Sequence, residues 1–487
     1  MDSLLSIERR IAEFAQSRPD KLAVINGNER ISYGTLWKNI LLGSEVYTRI
    51  LQLPVGASVI LAADKNVEFI YAYFGAHLAG LRVVPLAAET NMDRLRFIVD
   101  KLAAKALIGF HNCDLNIEQY DWDIFVDRNL EFNAKNVEFP EMNQIADILF
   151  TTGTTGKPKG VPLTFMNLAA AARNINSFIG NGIDDVEVLA LPISHSFGLG
   201  RLRCSLSMGA TICLLGSFAN VKKLFRVMSE EKATIFTMVP ASYRYLKKYT
   251  GTRLGDFVDQ LKFIEMGSAF FAPEEKRELA ELLPDTRICM HYGLTEASRS
   301  AFMEFHADSA HLSSVGKASP FTEIGIFGEH GEKLPAGTEG EICIKGAHVT
   351  MGYLYRDNSD TFFGDYFRTG DWGSMDEDGY VYLKSRKKEL INVGGKKVSP
   401  VEVELELKKI KGIADCACVG IDDPNDVLGE VVKAFLVRES AAVNLEFTNI
   451  TKSLQGKLEG YKIPVVYEWI DKIPRTHNGK IQRLSLK

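Results

Sequence analysis

The chain has 487 residues, 46% of them hydrophobic and 24% charged, with a formal net charge of −5. That composition is ample for buried cores, predicts about three or four domain-sized units, and excludes a general nucleic-acid binder because no basic footprint is present. No apolar run approaches the length of a membrane span, and the first ten residues mix Asp2 and Glu8 among apolar ones rather than following the basic-then-apolar order of a signal peptide, so the expected compartment is the cytoplasm.

Over residues 21–88 a hairpin turning at Asn26 and Gly27 leads to a helix over 33–51, a strand over 58–61, a helix over 67–79 and a strand over 81–86. The apolar run Ile148, Leu149, Phe150 then enters ten residues rich in turn formers and donors: Thr151, Thr152, Gly153, Thr154, Thr155, Gly156, Lys157, Pro158, Lys159 and Gly160. Glycines let backbone amides approach an anion, threonine hydroxyls donate to oxygens and lysines neutralise charge, which together suit a phosphate. The spacing is not that of the nucleoside-triphosphatase P-loop, because only two residues separate Gly153 from Gly156 and Pro158 follows Lys157.

A helix is expected over 166–178, after which alternation resumes: strand 186–191, helix 198–208, strand 211–215, helix 221–231, strands 234–239 and 261–265, helix 273–283 and strand 287–291. Between Phe321 and Gly346 the helix rhythm gives way to short strands with turns such as Gly328 to Gly331, reading as a small antiparallel or barrel-like unit. A charged connector, Lys384, Ser385, Arg386, Lys387, Lys388, precedes about a hundred residues with their own α+β pattern. Seven cysteines are scattered, and the pair Cys416 and Cys418 falls on one face of a strand over 415–421, as buried thiols would. The fold class is therefore α/β: a large N-terminal body of two mostly parallel sheets with flanking helices plus a small β-barrel-like unit, followed by a small α+β C-terminal domain.

Besides the glycine- and threonine-rich loop, four segments carry chemistry: His291-Tyr292-Gly293-Leu294-Thr295-Glu296, Phe367-Arg368-Thr369-Gly370-Asp371, Ser385 through Gly395, and Pro474-Arg475-Thr476-His477-Asn478-Gly479-Lys480-Ile481. In this combination and order they resemble the adenylate-forming enzymes, which include acyl-CoA synthetases, peptide-synthetase adenylation domains and beetle luciferases, and the chain is most like a stand-alone acyl-CoA ligase. The resemblance runs over nearly the whole length. It implies activation of a carboxylic acid by ATP as acyl-AMP, release of pyrophosphate, and transfer of the acyl group to CoA. The alternative acceptor is the phosphopantetheine of a separate acyl carrier protein.

The resemblance assigns roles to residues of this chain. Thr151 to Gly160 grip the β- and γ-phosphates; Thr151 and Glu296 help to hold Mg²⁺; Thr295 bonds the α-phosphate. Adenine meets the face of Tyr292, in the company of His291 and Gly293, and the backbone of the turn Gly267, Ser268, Ala269. Asp371 accepts from both ribose hydroxyls and Arg386 donates to the same sugar. Lys480 bridges the acid's carboxylate and the α-phosphate in the first half-reaction, while Gly394 and Gly395 face the thiol in the second. Those two groups cannot share one site at once if they lie on different faces of the small domain, so a rotation about Lys388 between steps is expected. The implied domains are an ATP- and acyl-binding domain over 1–384, a hinge at 385–388, and a mobile catalytic domain over 389–487.

The segment from Leu191 to Leu199 resembles the part that gates and lines the acyl pocket, with His195 in the gate. Amino-acid-activating relatives commonly place an aspartate after an aromatic here, whereas this chain has Ser196, Phe197 and Gly198, which favours an acid without an α-amino group. Arg201 falls one helical turn after Phe197 on the same face, where it meets a second polar or acidic end of the substrate, snorkels to solvent, or pairs within the protein.

Overall fold

The computed structural model describes all residues except 1–3, 112, 127–136, 153–157, 217, 395, 425–427, 441–444, 476–480 and 487. It divides into two compact units: Met1–Glu323 with Ile344–Phe367, and Ile324–Cys343 with Arg368–Lys487.

In the first unit, helix α1 (Ile7–Ser17) starts at Ser6, whose hydroxyl accepts from the Arg9 amide, and the hairpin β1 (Leu22–Asn26) and β2 (Glu29–Ser32) turns as expected at Asn26 and Gly27. Helix α2 (Tyr33–Glu45) and strand β3 (Ser58–Ala62) follow. The next elements are α3 (Val67–Leu78), β4 (Arg82–Leu86), α4 (Met92–Leu102), β5 (Ala106–Ile108) and β6 (Glu118–Tyr120). Strand β7 (Ile145–Thr152) turns back into β8 (Pro158–Thr164), and α5 (Phe165–Ile179) opens on a reciprocal cap in which Thr164 and Asn167 each accept from the other's backbone. These strands form a sheet ordered β6-β5-β3-β4-β7-β8, parallel except for the last pair.

The second sheet of this unit uses β9 (Val186–Leu189), β10 (Thr211–Leu214), β11 (Ile235–Met238), β12 (Phe263–Met266), β13 (Arg287–Tyr292), β14 (Ala301–Glu304) and β15 (Lys317–Ala318). Helices α6 (Ser196–Ser207), α7 (Val221–Glu230), α8 (Pro240–Thr250) and α9 (Pro273–Leu282) alternate with them. Its order is β15-β14-β13-β12-β11-β9-β10-β1-β2, and β13, β12, β11, β9, β10 and β1 run parallel. Their near-continuous apolar residues suit strands covered on both faces.

A buried ionic cluster ties α1, α3, α6 and β7 together. His77 lies 2.7 Å from Glu8 and 3.1 Å from Asp147, and Asp147 also accepts from Tyr73 at 2.9 Å and Arg203 at 2.6 Å. Burial by itself would lower the His77 pKa, yet the hydrogen bonds and charges of Asp147 and Glu8 outweigh it and raise the pKa to about 9. The imidazolium thus donates from both nitrogens, and two cations balance two carboxylates. Asp147 sits four residues before Thr151 on β7, so the cluster anchors the strand that leads to the glycine- and threonine-rich segment.

A further sheet, most of whose residues belong to the second unit, contains β16 (Glu323–Phe327), β17 (Gly340–Lys345), β19 (Tyr366–Met375) and β20 (Val381–Arg386), with β19 between β17 and β20; the short β18 (Phe362–Phe363), in the first unit, pairs with the opening residues of β19. A hairpin, β21 (Ile391–Val393) and β22 (Lys396–Val398), precedes α10 (Pro400–Leu407). Strands β23 (Ile413–Asp422), β24 (Glu430–Arg438) and β25 (Val466–Trp469) form a three-stranded sheet, with α11 (Phe447–Leu454) inserted before β25. Cys416 and Cys418 are buried in its core, all seven cysteines are free, and burial pushes both of these thiols up. Among the described residues no helix is long and apolar enough to cross a membrane.

Candidate active site

Three of the segments singled out in the sequence leave one edge of one sheet. Strands β9, β12 and β13 are mutually parallel members of the same sheet, and their carboxyl ends pass into Leu191–His195, Gly267–Ala269 and Tyr292–Glu296 respectively. Ligands of open parallel sheets lie at that edge, where helix and loop starts converge.

Glu296 is 7% exposed and accepts a hydrogen bond from the Tyr353 hydroxyl at 2.8 Å. The Lys159 ammonium lies 5.0 Å from the centre of the same tyrosine ring, and the Leu354 amide bonds to Gly160. Tyr353 therefore joins the returning arm of the β7–β8 hairpin to Glu296; nothing in the motif spelling singled it out. Thr151 and Thr152 pair with Lys159 and Pro158 across that hairpin. Gly153, Thr154, Thr155, Gly156 and Lys157 lie outside the described residues.

Tyr292 is buried to 8% exposure at the end of β13, Thr295 is half-buried, and Gly293 is exposed. Ser268 takes a left-handed backbone, φ 72°, unusual for a residue with a side chain and a sign that its turn is held by its surroundings. Gly267 must be glycine, because a Cβ there would sit 2.2 Å from the His291 ring. His291 Nδ1 lies 2.7 Å from Glu265, and burial lowers its pKa despite that carboxylate.

On the expected acyl side, His195 is the exposed N-cap residue of α6 and Phe197 packs edge-on against His291, with ring centres 4.6 Å apart. Arg201 is fully buried and pairs bidentately with Glu187, Nε at 2.9 Å and Nη2 at 2.8 Å, with Glu265 3.3 Å from its remaining nitrogen. Of the fates open to Arg201, a substrate end, solvent or a partner within the protein, the geometry is that of the last: it is fully buried and two carboxylates take up its charge.

In the second unit, Asp371 and Arg386 are opposite one another on β19 and β20, joined at 2.8 Å, and Asp371 is 4% exposed. Lys388 is exposed in the one-turn helix Lys387–Glu389. Gly394 turns the β21–β22 hairpin with φ 56° and its amide bonds to Leu428. Gly395 and Lys480 lie outside the described residues.

A sheet-edge site of this make-up, spelled by these motifs, is that of the adenylate-forming class. Residues 11–354 match the AMP-binding enzyme family and residues 402–480 match the AMP-binding enzyme C-terminal domain, so the chain belongs to the AMP-binding enzyme family. A 2-succinylbenzoate–CoA ligase of Staphylococcus aureus is 31% identical over 507 residues, spanning 97% of this chain and 98% of its own. Among solved structures, ATP-bound MatB from Rhodopseudomonas palustris gives a TM-score of 0.87 at 26% identity over 99% of this chain and 98% of its own. The o-succinylbenzoate coenzyme A synthetase MenE of Bacillus subtilis, in complex with ATP and magnesium ion, gives 0.87 at 25% identity over 98% of each chain.

Proposed function

We propose that the chain joins a carboxylic acid without an α-amino group to the thiol of CoA, in the cytoplasm, by way of an acyl-adenylate. The observation that carries this reading is the convergence of the Leu191, Gly267 and Tyr292 segments at one edge of a parallel sheet. A carboxylate is a poor electrophile, so its oxygen attacks the α-phosphorus of ATP and pyrophosphate leaves. The thiolate sulfur then attacks the carbonyl carbon, and AMP departs with the bridging oxygen. Such chemistry depends on positioning and on charge complementarity more than on covalent help.

The residues divide this work. The Tyr292 ring faces adenine, Asp371 and Arg386 hold the ribose, Thr295 donates to the α-phosphate, and the 151–160 turn holds the outer phosphates. Lys480 brings the acid's carboxylate to the α-phosphate, and the Gly394–Gly395 turn admits the thiol after Lys388 has served as hinge. A hard cation such as Mg²⁺ suits oxygen ligands, and a protein carboxylate and a hydroxyl would hold it at this site beside the phosphates. Glu296 and Thr151 would be those protein ligands, and the ion, when bound, would neutralise phosphate charge. Glu296→Gln keeps the hydrogen bond with Tyr353 but removes the charge; magnesium titration of pyrophosphate release should show an apparent affinity for the ion at least about tenfold weaker, a loss of about 1.4 kcal/mol or more.

The relatives' names make 2-succinylbenzoate the first acid to test. Glu265 and Glu187, the carboxylates behind the Phe197 segment, are taken by arginines, which leaves them unavailable to a substrate ammonium. A pyrophosphate-release screen over 2-succinylbenzoate, fatty, aromatic and α-amino acids, run with CoA and then with a pantetheinylated carrier protein, tests both the acid and the acceptor. The expected result is turnover with an acid lacking the amino group and with CoA; a preference for α-amino acids, or for the carrier, would contradict it.

A further inference from the structure

Behind the sheet edge lies a second ionic cluster that no step of the proposed reaction uses. Glu265 on β12 meets Arg299 Nε at 3.0 Å, Arg201 Nη1 at 3.3 Å and His291 Nδ1 at 2.7 Å, and Glu187 on β9 binds the other face of Arg201. Ser205 and Thr237 donate to Glu187 as well. All four ions are buried, and two guanidiniums balance two carboxylates. Burial works to raise the Glu265 pKa, but Arg299, His291 and Arg201 hold it well below the usual carboxylate range.

Arg299 is the member that reaches out of this cluster. Its Nη1 donates to the Ser196 carbonyl at 3.2 Å and its Nη2 to the Phe197 carbonyl at 2.9 Å, while the guanidinium lies 4.8 Å from the centre of the Phe197 ring. Room for it exists because residue 200 is glycine: a Cβ there would be 2.4 Å from Nη1. Arg299 also holds a left-handed backbone, φ 53°, three residues after Glu296. The strands that lead into the nucleotide-side turns, β12 and β13, fix each other through four registered pairs. The first turn of α6 is different, because its N-cap residue, His195, makes no side-chain cap bond.

We propose that Arg299, braced by Glu265, is a positioning residue that fixes the first turn of α6 against the nucleotide-side loops and thereby sets affinity for the acid rather than for ATP. This rests on the assignment of His195 to Phe197 to the acyl side. Lysine cannot replace it, because one ammonium cannot span a carboxylate and two carbonyls in the planar geometry of a guanidinium.

The test uses the full chain with Arg299→Met, Arg299→Lys and the double change Arg299→Met with Glu265→Gln, which removes both charges and leaves neither carboxylate nor guanidinium orphaned. ATP affinity is measured by calorimetry without acid, amide exchange is followed over 195–200, and the KM for acid and for ATP are taken from ATP–pyrophosphate exchange. The double variant should bind ATP within about threefold of wild type, lose protection over 195–200 by about tenfold or more, and raise the KM for acid by about tenfold or more, with Arg299→Lys intermediate. Unchanged protection, an unchanged KM for acid, or an equal rise in the KM for ATP would overturn the proposal. A wild-type protein that binds ATP but shows no acid-dependent exchange would instead overturn the ligase reading on which the acid term rests, while the exchange data over 195–200 would still decide whether Arg299 anchors the turn.

Discussion

Replacing Lys480 with alanine should lower acid-dependent ATP–pyrophosphate exchange about a thousandfold, the scale expected when a preorganised charge is removed from a site where negative charge is being rearranged. The first half-reaction must bring a carboxylate onto a phosphoryl group that is itself anionic, and an ammonium placed between them would offset the repulsion. In the second half-reaction the electrophile is already a neutral carbonyl carbon, and the acyl-adenylate's phosphate leaves rather than being approached. Thiolysis of a supplied acyl-adenylate should therefore stay within about threefold of wild type. Lys480→Arg should recover little, because a planar fork does not fill the place of a compact ammonium. Equal loss in both half-reactions would remove Lys480 from this role.

Asp147→Ala should destabilise the first unit by about 3–5 kcal/mol, measured as the loss of unfolding free energy in urea, because it leaves the buried guanidinium of Arg203 without its carboxylate. The same cluster dictates a pH dependence. His77 is raised to about 9 in the folded protein from about 6.5 in the unfolded chain, so its contribution is fully present below about 6.5 and is lost as pH rises through about 9. Asp147 is held below the ordinary carboxylate range: burial opposes this, but His77 and Arg203 prevail, so its contribution is present above about 3.9 and is lost as pH falls further. Unfolding free energy plotted against pH should form a plateau between those limits, and His77→Gln should flatten its alkaline limb. An unaltered alkaline limb in His77→Gln would assign the loss to other groups.

Much of the first unit's alternation was legible because its strands and helices differ in period and are separated by glycines and caps. Strand β8 was not: Pro158 and Gly160 fall in the glycine- and threonine-rich loop, and the reason they, and Pro162, are tolerated in a strand is positional, since β8 is the last strand of its sheet and needs no second row of donors. Helix α1 carries a legible signal, since Ser6 ahead of Ile7 and Ile11, spaced four apart, is an N-cap before a helical face, but charged Glu8, Arg9 and Arg10 dilute its periodicity.

The candidate site divides in the same way. Residues proposed to touch a ligand announce themselves through glycine-rich spelling and company, as in His291 to Glu296. The groups that hold them do not, because their partners are distant in the chain: Tyr353 is 57 residues from Glu296, and Arg299 is 34 from Glu265. One signal was nevertheless present. Glu187 and Glu265 each interrupt an otherwise apolar strand, Val186–Leu189 and Phe263–Met266, and a carboxylate in a buried strand demands a cation from elsewhere. Arg201 and Arg299 are those cations, which is why an arginine facing the acyl side on helical spacing turned inward.

The path of a single oxygen atom tests the central claim most directly. With an acid carrying ¹⁸O in both carboxylate positions, ATP, Mg²⁺ and CoA, attack of the carboxylate on the α-phosphorus places one labelled oxygen in AMP and none in pyrophosphate. Recovery of the label in inorganic phosphate, or formation of ADP in place of AMP, would contradict it.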